Sequence, residues 1–158
     1  METLVKYEVR ETIWPEKTFV TKRAKIHFDQ LSDFFTKVYG SIYKAFGPTG
    51  ELANEPPYAI YYSVNEAANE IDLAAAVPVL RFKNPVPGFE KEVVPRMKAV
   101  YLTYHGSYEN MGDAYAALEN YVKENGLLKE WVIEQYLSDP SKEKDPRNWR
   151  TNIFFLVK

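Results

Sequence analysis

Tyr58-Ala59-Ile60-Tyr61-Tyr62-Ser63 and Ile133-Glu134-Gln135-Tyr136-Leu137-Ser138 read as two versions of one strand. Working outward from them, the rest of the chain falls into the same pairing. Val5–Arg10 answers to Phe89–Val94, Phe28–Phe46 to Tyr108–Asn125, and Leu73–Val79 to Thr151–Val157. Halves of roughly 80 residues are too long for solenoid units. The expectation is therefore a single duplication, with two similar modules about a pseudo-twofold axis and a ligand cleft at their seam. The expected organisation is one domain over 1–158, with halves at about 1–83 and 89–158. Their linker, Asn84-Pro85-Val86-Pro87-Gly88, is too short to separate independent domains. The halves differ at one telling place: Glu134 stands where the first half has Ala59.

The totals narrow the function classes. A chain of 158 residues with 46% hydrophobic and 27% charged residues is an ordinary globular composition. The aromatic share is not ordinary: 12 Tyr, 9 Phe and 3 Trp make 15%. Tyrosine suits half-wet pockets, being apolar along its body and polar at its tip, although strand faces also favour it. A net charge of −2 without a basic run argues against direct nucleic-acid binding, which needs clustered Lys and Arg. The absence of Cys rules out a disulfide framework, a thiol nucleophile and a Cys-based metal site. No signal peptide and no membrane-spanning apolar run is legible, so a cytoplasmic protein without membrane contact is expected.

Local patterning supplies the elements. Val5, Tyr7 and Val9 alternate with Lys6, Glu8 and Arg10, the period of a half-buried strand. Leu31, Phe34, Phe35, Val38, Ile42 and Phe46 form a helical stripe, with Asp29 as the expected N-cap and Gly47-Pro48 as the stop. Leu73–Val79 has alanine-rich helix propensity, but Pro78 and the matching Phe154-Phe155-Leu156-Val157 favour strand. Met111, Ala114, Tyr115, Leu118 and Val122 mark a second helix, and Gly126 is placed for a left-handed C-cap.

Glu134 carries the most chemical promise. Val132, Glu134, Tyr136 and Ser138 share one strand face, leaving two readings open. The carboxylate is either on the solvated side of a half-exposed strand or inside an aromatic pocket. In a pocket its desolvation would be relieved by a cationic ligand stacked on rings, worth about 0.5–2 kcal/mol per ring. The same setting would suit it to general acid or base work. His27 and His105 have no ligand spacing, and no cofactor or metal is expected. There is no nucleophile elbow and no phosphate loop.

The ordered run His105-Gly106-Ser107-Tyr108-Glu109-Asn110-Met111, then Glu124-Asn125-Gly126, then Glu134-x-Tyr136-Leu137-Ser138-Asp139-Pro140 resembles the GyrI-like small-molecule-binding family. That family is related to the effector-binding domains of AraC- and MerR-type multidrug regulators. The resemblance spans the chain and is strongest from Phe89 to Lys158. It implies an α+β fold, with an antiparallel sheet, helices on one face and a ligand cleft along the seam. It also implies an aromatic pocket around a central glutamate, the position of Glu134. Tyr58, Trp149 and Met111 fall at or near further pocket positions, and Tyr104, Tyr108 and Tyr61 are secondary candidates.

No DNA-binding domain is legible, so the expectation is a stand-alone binder of lipophilic, amphipathic or cationic aromatic compounds. The enzyme alternative is a hydrolase of cyclopropanoid electrophiles with Glu134 as general base. A further alternative is an interaction protein that contacts gyrase or a regulator.

Overall fold

The computed structural model describes residues 7–158, and the chain separates into two compact units. One joins the residues through Trp14 to Met97–Lys158; the other is Pro15–Arg96. The first holds the strands Arg10–Trp14 (β1), Met97–His105 (β6), Lys129–Tyr136 (β7) and Arg150–Val157 (β8), with the helix Gly112–Glu124 (α2). The second holds Lys17–His27 (β2), Tyr58–Asn65 (β3), Glu70–Pro78 (β4) and Glu90–Val94 (β5), with the helix Leu31–Phe46 (α1). All pairings within the units are antiparallel. They run β1-β6-β8-β7 in one unit and β5-β2-β4-β3 in the other. The fold class is α+β, as expected.

The unit boundaries differ from the halves read in the sequence. They fall at Trp14/Pro15 and Arg96/Met97 rather than in 84–88. The cause is strand pairing. Arg10–Trp14 leads into β2 but hydrogen-bonds to β6, while Glu90–Val94 leads into β6 but hydrogen-bonds to β2. Residues 84–88 stay within one unit, where Val86 and the adjacent Phe89 pack on the core beneath α1.

Each helix lies on its strands through residues spaced four apart. In α1 these are Val38, Ile42 and Phe46, against Val20, Ala75 and Val77. In α2 they are Ala114, Leu118 and Val122, against Val100, Leu102, Ile153 and Phe155. Each large side chain buried in this way contributes about 1.5–3 kcal/mol, which holds the helices on their strands.

Three local expectations need correction or completion. The strand expected at Val5–Arg10 begins at Arg10; Val5 and Lys6 lie outside the described residues. Tyr7 and Val9 still turn apolar surface onto the α2 core, so the burial period holds without a ladder. Asp29 is not the N-cap of α1: it sits inside a single tight turn, Phe28–Gln30, that precedes the helix. The Gln30 side chain closes that turn by accepting from the His27 N–H at 2.9 Å. Leu73–Val79 is strand as far as Pro78, and Leu73 to Val77 are fully buried on both faces of β4. A continuous apolar run is the signature of such a strand. Among the described residues, no helix is long and apolar enough to cross a membrane, and no group of three or more acidic or histidine side chains is placed to hold a metal ion.

Candidate functional site

Alternation along β7 places Val132, Glu134 and Tyr136 on the face that receives α2, and Glu134 pairs with Ile153 of β8. Glu134 is 5% exposed, so the solvated reading of this carboxylate is excluded. Both of its oxygens accept hydrogen bonds from tyrosine. The Tyr136 hydroxyl donates to Oε1 at 2.6 Å, and the Tyr115 hydroxyl, reaching down from α2, donates to Oε2. Tyr115 follows the buried Ala114, and its ring contacts Phe155 at 5.9 Å between centroids. The packing that seats α2 thereby aims the phenol at the strand.

An aromatic wall stands beside this centre. Tyr108 meets Tyr136 edge-on, with centroids 5.5 Å apart at 65°. It lies 4.9 Å from Trp149, with their rings inclined at 31°. Burial raises the Tyr108 hydroxyl above its ordinary pKa, and the charges of Glu134 and then Asp139 push it further the same way. The carboxylate is therefore felt electrostatically at the wall.

Two loops hold the wall in place. In the turn after β6, Gly106 has φ 140°, a value few L side chains adopt. A Cβ there would stand 2.7 Å from the Tyr104 hydroxyl. That hydroxyl donates to the Ser107 carbonyl at 2.7 Å, so Tyr104 braces the turn that presents Tyr108. In the loop between β7 and β8, the Trp149 indole N–H donates to the Glu143 carbonyl at 2.8 Å. The Trp149 carbonyl accepts from the Gly106 N–H at 2.9 Å, which ties the two loops together. The loop's own folding rests on Asp139, which accepts from the Ser141 hydroxyl at 2.7 Å and whose carbonyl accepts from the Lys142 and Glu143 N–H groups.

The structure thus brings Glu134, Tyr108 and Trp149 together in one unit. Met111 is in the same unit but is 8% exposed and packs in the core with Leu118. Tyr104 is 4% exposed and serves the turn. Tyr58 and Tyr61 belong to the Pro15–Arg96 unit and occupy opposite faces of β3. Tyr58 faces away from the α1 core. Its ring meets Phe19 edge-on at 5.1 Å, its hydroxyl donates to Glu55 at 3.1 Å, and burial raises its pKa well above the ordinary tyrosine range. Lys17 completes that cluster, pairing with Glu55 at 2.7 Å and standing 5.7 Å over the Tyr58 ring.

Sequence reasoning missed the two hydrogen-bond donors. Tyr136 was legible as the same-face neighbour of Glu134, two residues along the strand. Tyr115 read only as part of a core stripe, since its reach to Glu134 depends on how α2 is rotated on the sheet.

The description of the GyrI-like small molecule binding domain matches residues 7–158. No curated protein matches the sequence. Among solved structures, the chain is similar to EcmrR in its DNA complex, with a TM-score of 0.86 and 22% identity over 96% of this chain. It spans 57% of the length of that EcmrR chain. It is likewise similar to the EcmrR C-terminal domain, with a TM-score of 0.83, 20% identity and 98% and 99% of the two chains covered. SAV2435 bound to tetraphenylphosphonium aligns with a TM-score of 0.66 and 11% identity, over 98% of this chain and 94% of that one.

Proposed function

The chain belongs to the GyrI-like small molecule binding domain family, and we propose that it binds lipophilic cations, with Glu134 as the charged centre and Tyr108 and Trp149 as stacking surface. The observation that carries this reading is a carboxylate 5% exposed to solvent, held on both oxygens by phenols beneath an aromatic pair. Two hydroxyl donors orient the carboxylate and, by donating to it, favour its charged form. A diffuse organic cation is the ligand whose desolvation is cheapest to match against such a charge. Each ring face presented to it adds about 0.5–2 kcal/mol. The tetraphenylphosphonium held by SAV2435, a protein of the same fold, supports this class of ligand.

Isothermal titration with tetraphenylphosphonium tests the reading. Glu134→Gln keeps the side-chain shape and one acceptor oxygen while removing the charge, and is expected to weaken binding by at least about tenfold, equivalent to 1.4 kcal/mol. Equal affinity in wild type and Glu134→Gln, or no binding by the wild type, would sink the proposal.

A further inference from the structure

The ladder between β1 and β6 ends at Arg10 and Tyr101. Upstream of Arg10 the chain turns Tyr7 and Val9 onto the α2 core, and Leu102 and Thr103 of β6 have no β1 partner. A cavity of about 280 Å³ lies there, lined by Glu8, Arg10, Tyr101, Leu102 and Thr103. Arg10 shares a sheet face with Tyr101, its partner in the ladder, and alternation sets Thr103 on that face too. Val100, Leu102 and Tyr104 take the other face, beneath α2, which is also the face of Glu134. The cavity and the Glu134 site therefore belong to opposite faces of one sheet.

We propose that this cavity binds a ring of an uncharged sugar or a similar polyol. Its polar groups are of both kinds. Arg10 donates to Glu8 Oε2 at 3.1 Å, which leaves further guanidinium N–H groups and Glu8 Oε1 for a ligand. Thr103 donates its hydroxyl proton to Asn152 at 2.6 Å, and the Asn152 amide donates in turn to Gln135 at 2.9 Å. With its proton committed to that row, the half-buried Thr103 meets the cavity as an acceptor. Tyr101 is fixed by stacking on Phe154, with centroids 5.2 Å apart at 23°. Neighbouring hydroxyls of a sugar are donor and acceptor at once, so they can accept from Arg10 while donating to Glu8 and Thr103. A cation would face Arg10 and an anion would face Glu8, so a neutral ligand is the one that leaves the ion pair whole. Both charges stand at the solvent rim, and the expected affinity is millimolar. This inference stands whether or not Glu134 takes a cation.

The test titrates the whole chain with D-glucose and follows it in heteronuclear NMR spectra. The Thr103 amide and the Arg10 Nε–H should shift and saturate. Glu8→Ala removes one acceptor and Thr103→Val another, and each should weaken binding by about fivefold, equivalent to about 1 kcal/mol. No saturable shift in the wild type, or wild-type affinity in both variants, would overturn the proposal. So would acetate or tetramethylammonium saturating these residues in place of glucose. The tetraphenylphosphonium titration reads Glu134 on the opposite face, so failure of one reading is distinguishable from failure of the other.

Discussion

Tyr136 donates its hydroxyl to Glu134 across 2.6 Å from a position two residues along the same strand face. With Tyr115 on the other oxygen, the carboxylate exchanges water for two phenols. The low exposure of Glu134 makes those donors energetically important, because a buried acceptor that loses its partner bears the full desolvation cost. Tyr115→Phe and Tyr136→Phe should each destabilise the protein by about 1–3 kcal/mol, read from urea unfolding. Adding Glu134→Gln to the double variant should recover part of that loss, since the charge that the donors solvated is then gone. A double variant as stable as wild type would mean that neither phenol solvates the carboxylate.

Tyr108 should titrate above the usual value for tyrosine, about 10, because burial and the Glu134 charge both oppose its ionisation. Its folded pKa is raised, so its contribution to stability is complete below the unfolded pKa and is lost as pH rises through the folded one. Glu134→Gln removes the second cause and leaves the first. The Tyr108 ring resonance should then titrate at lower pH than in wild type, yet still above a free tyrosine. An unchanged titration would show that the charge is not felt at the wall.

Gly106→Ala should cost about 1–3 kcal/mol in stability, since alanine at φ 140° is strained and its Cβ meets the Tyr104 hydroxyl at 2.7 Å. Tyr104→Phe on the same background relieves the contact but not the dihedral, so only part of the loss should return. If Glu134, Tyr108 and Trp149 hold tetraphenylphosphonium as proposed, Gly106→Ala should also weaken that binding, because the turn carries Tyr108. Wild-type affinity in Gly106→Ala would separate the turn from the site.

The strands and helices of this chain were legible because their apolar periods are clean: four-residue spacing in α1 and α2, and an unbroken apolar run in β4. Glu134 was legible as a carboxylate in apolar company. What local pattern cannot show is pairing over distance. Arg10–Trp14 leads directly into β2, yet its ladder is with β6, more than eighty residues away. The same limit hid Tyr115, whose role comes from helix rotation, and the face of Tyr58, which follows from the register of β3 on β4. The roles of Tyr104 and Met111 turned on burial, which a sequence with this many aromatics leaves open.

Arg23 and Asp72 provide a test within the Pro15–Arg96 unit. The guanidinium of Arg23 grips the Asp72 carboxylate with two bonds, at 2.9 and 2.8 Å, and lies 3.7 Å over the ring of Tyr62. The hydrogen bond from Arg23 is the largest cause holding the Asp72 carboxyl below its ordinary pKa; partial burial pulls the other way. A depressed folded pKa means that the pair stabilises the protein above the unfolded carboxylate pKa. That stability is lost as pH falls through the folded value. Tyr62 itself is pushed up to about 12, by burial first and Glu92 second, so the ring stays neutral through this range. Arg23→Lys retains the charge but loses the planar fork and the stacking. It should lower stability at neutral and alkaline pH, by a difference from wild type that shrinks as pH falls through the folded Asp72 value, read from urea unfolding against pH. Equal stability at neutral pH would show that the fork adds nothing beyond a charge on this surface.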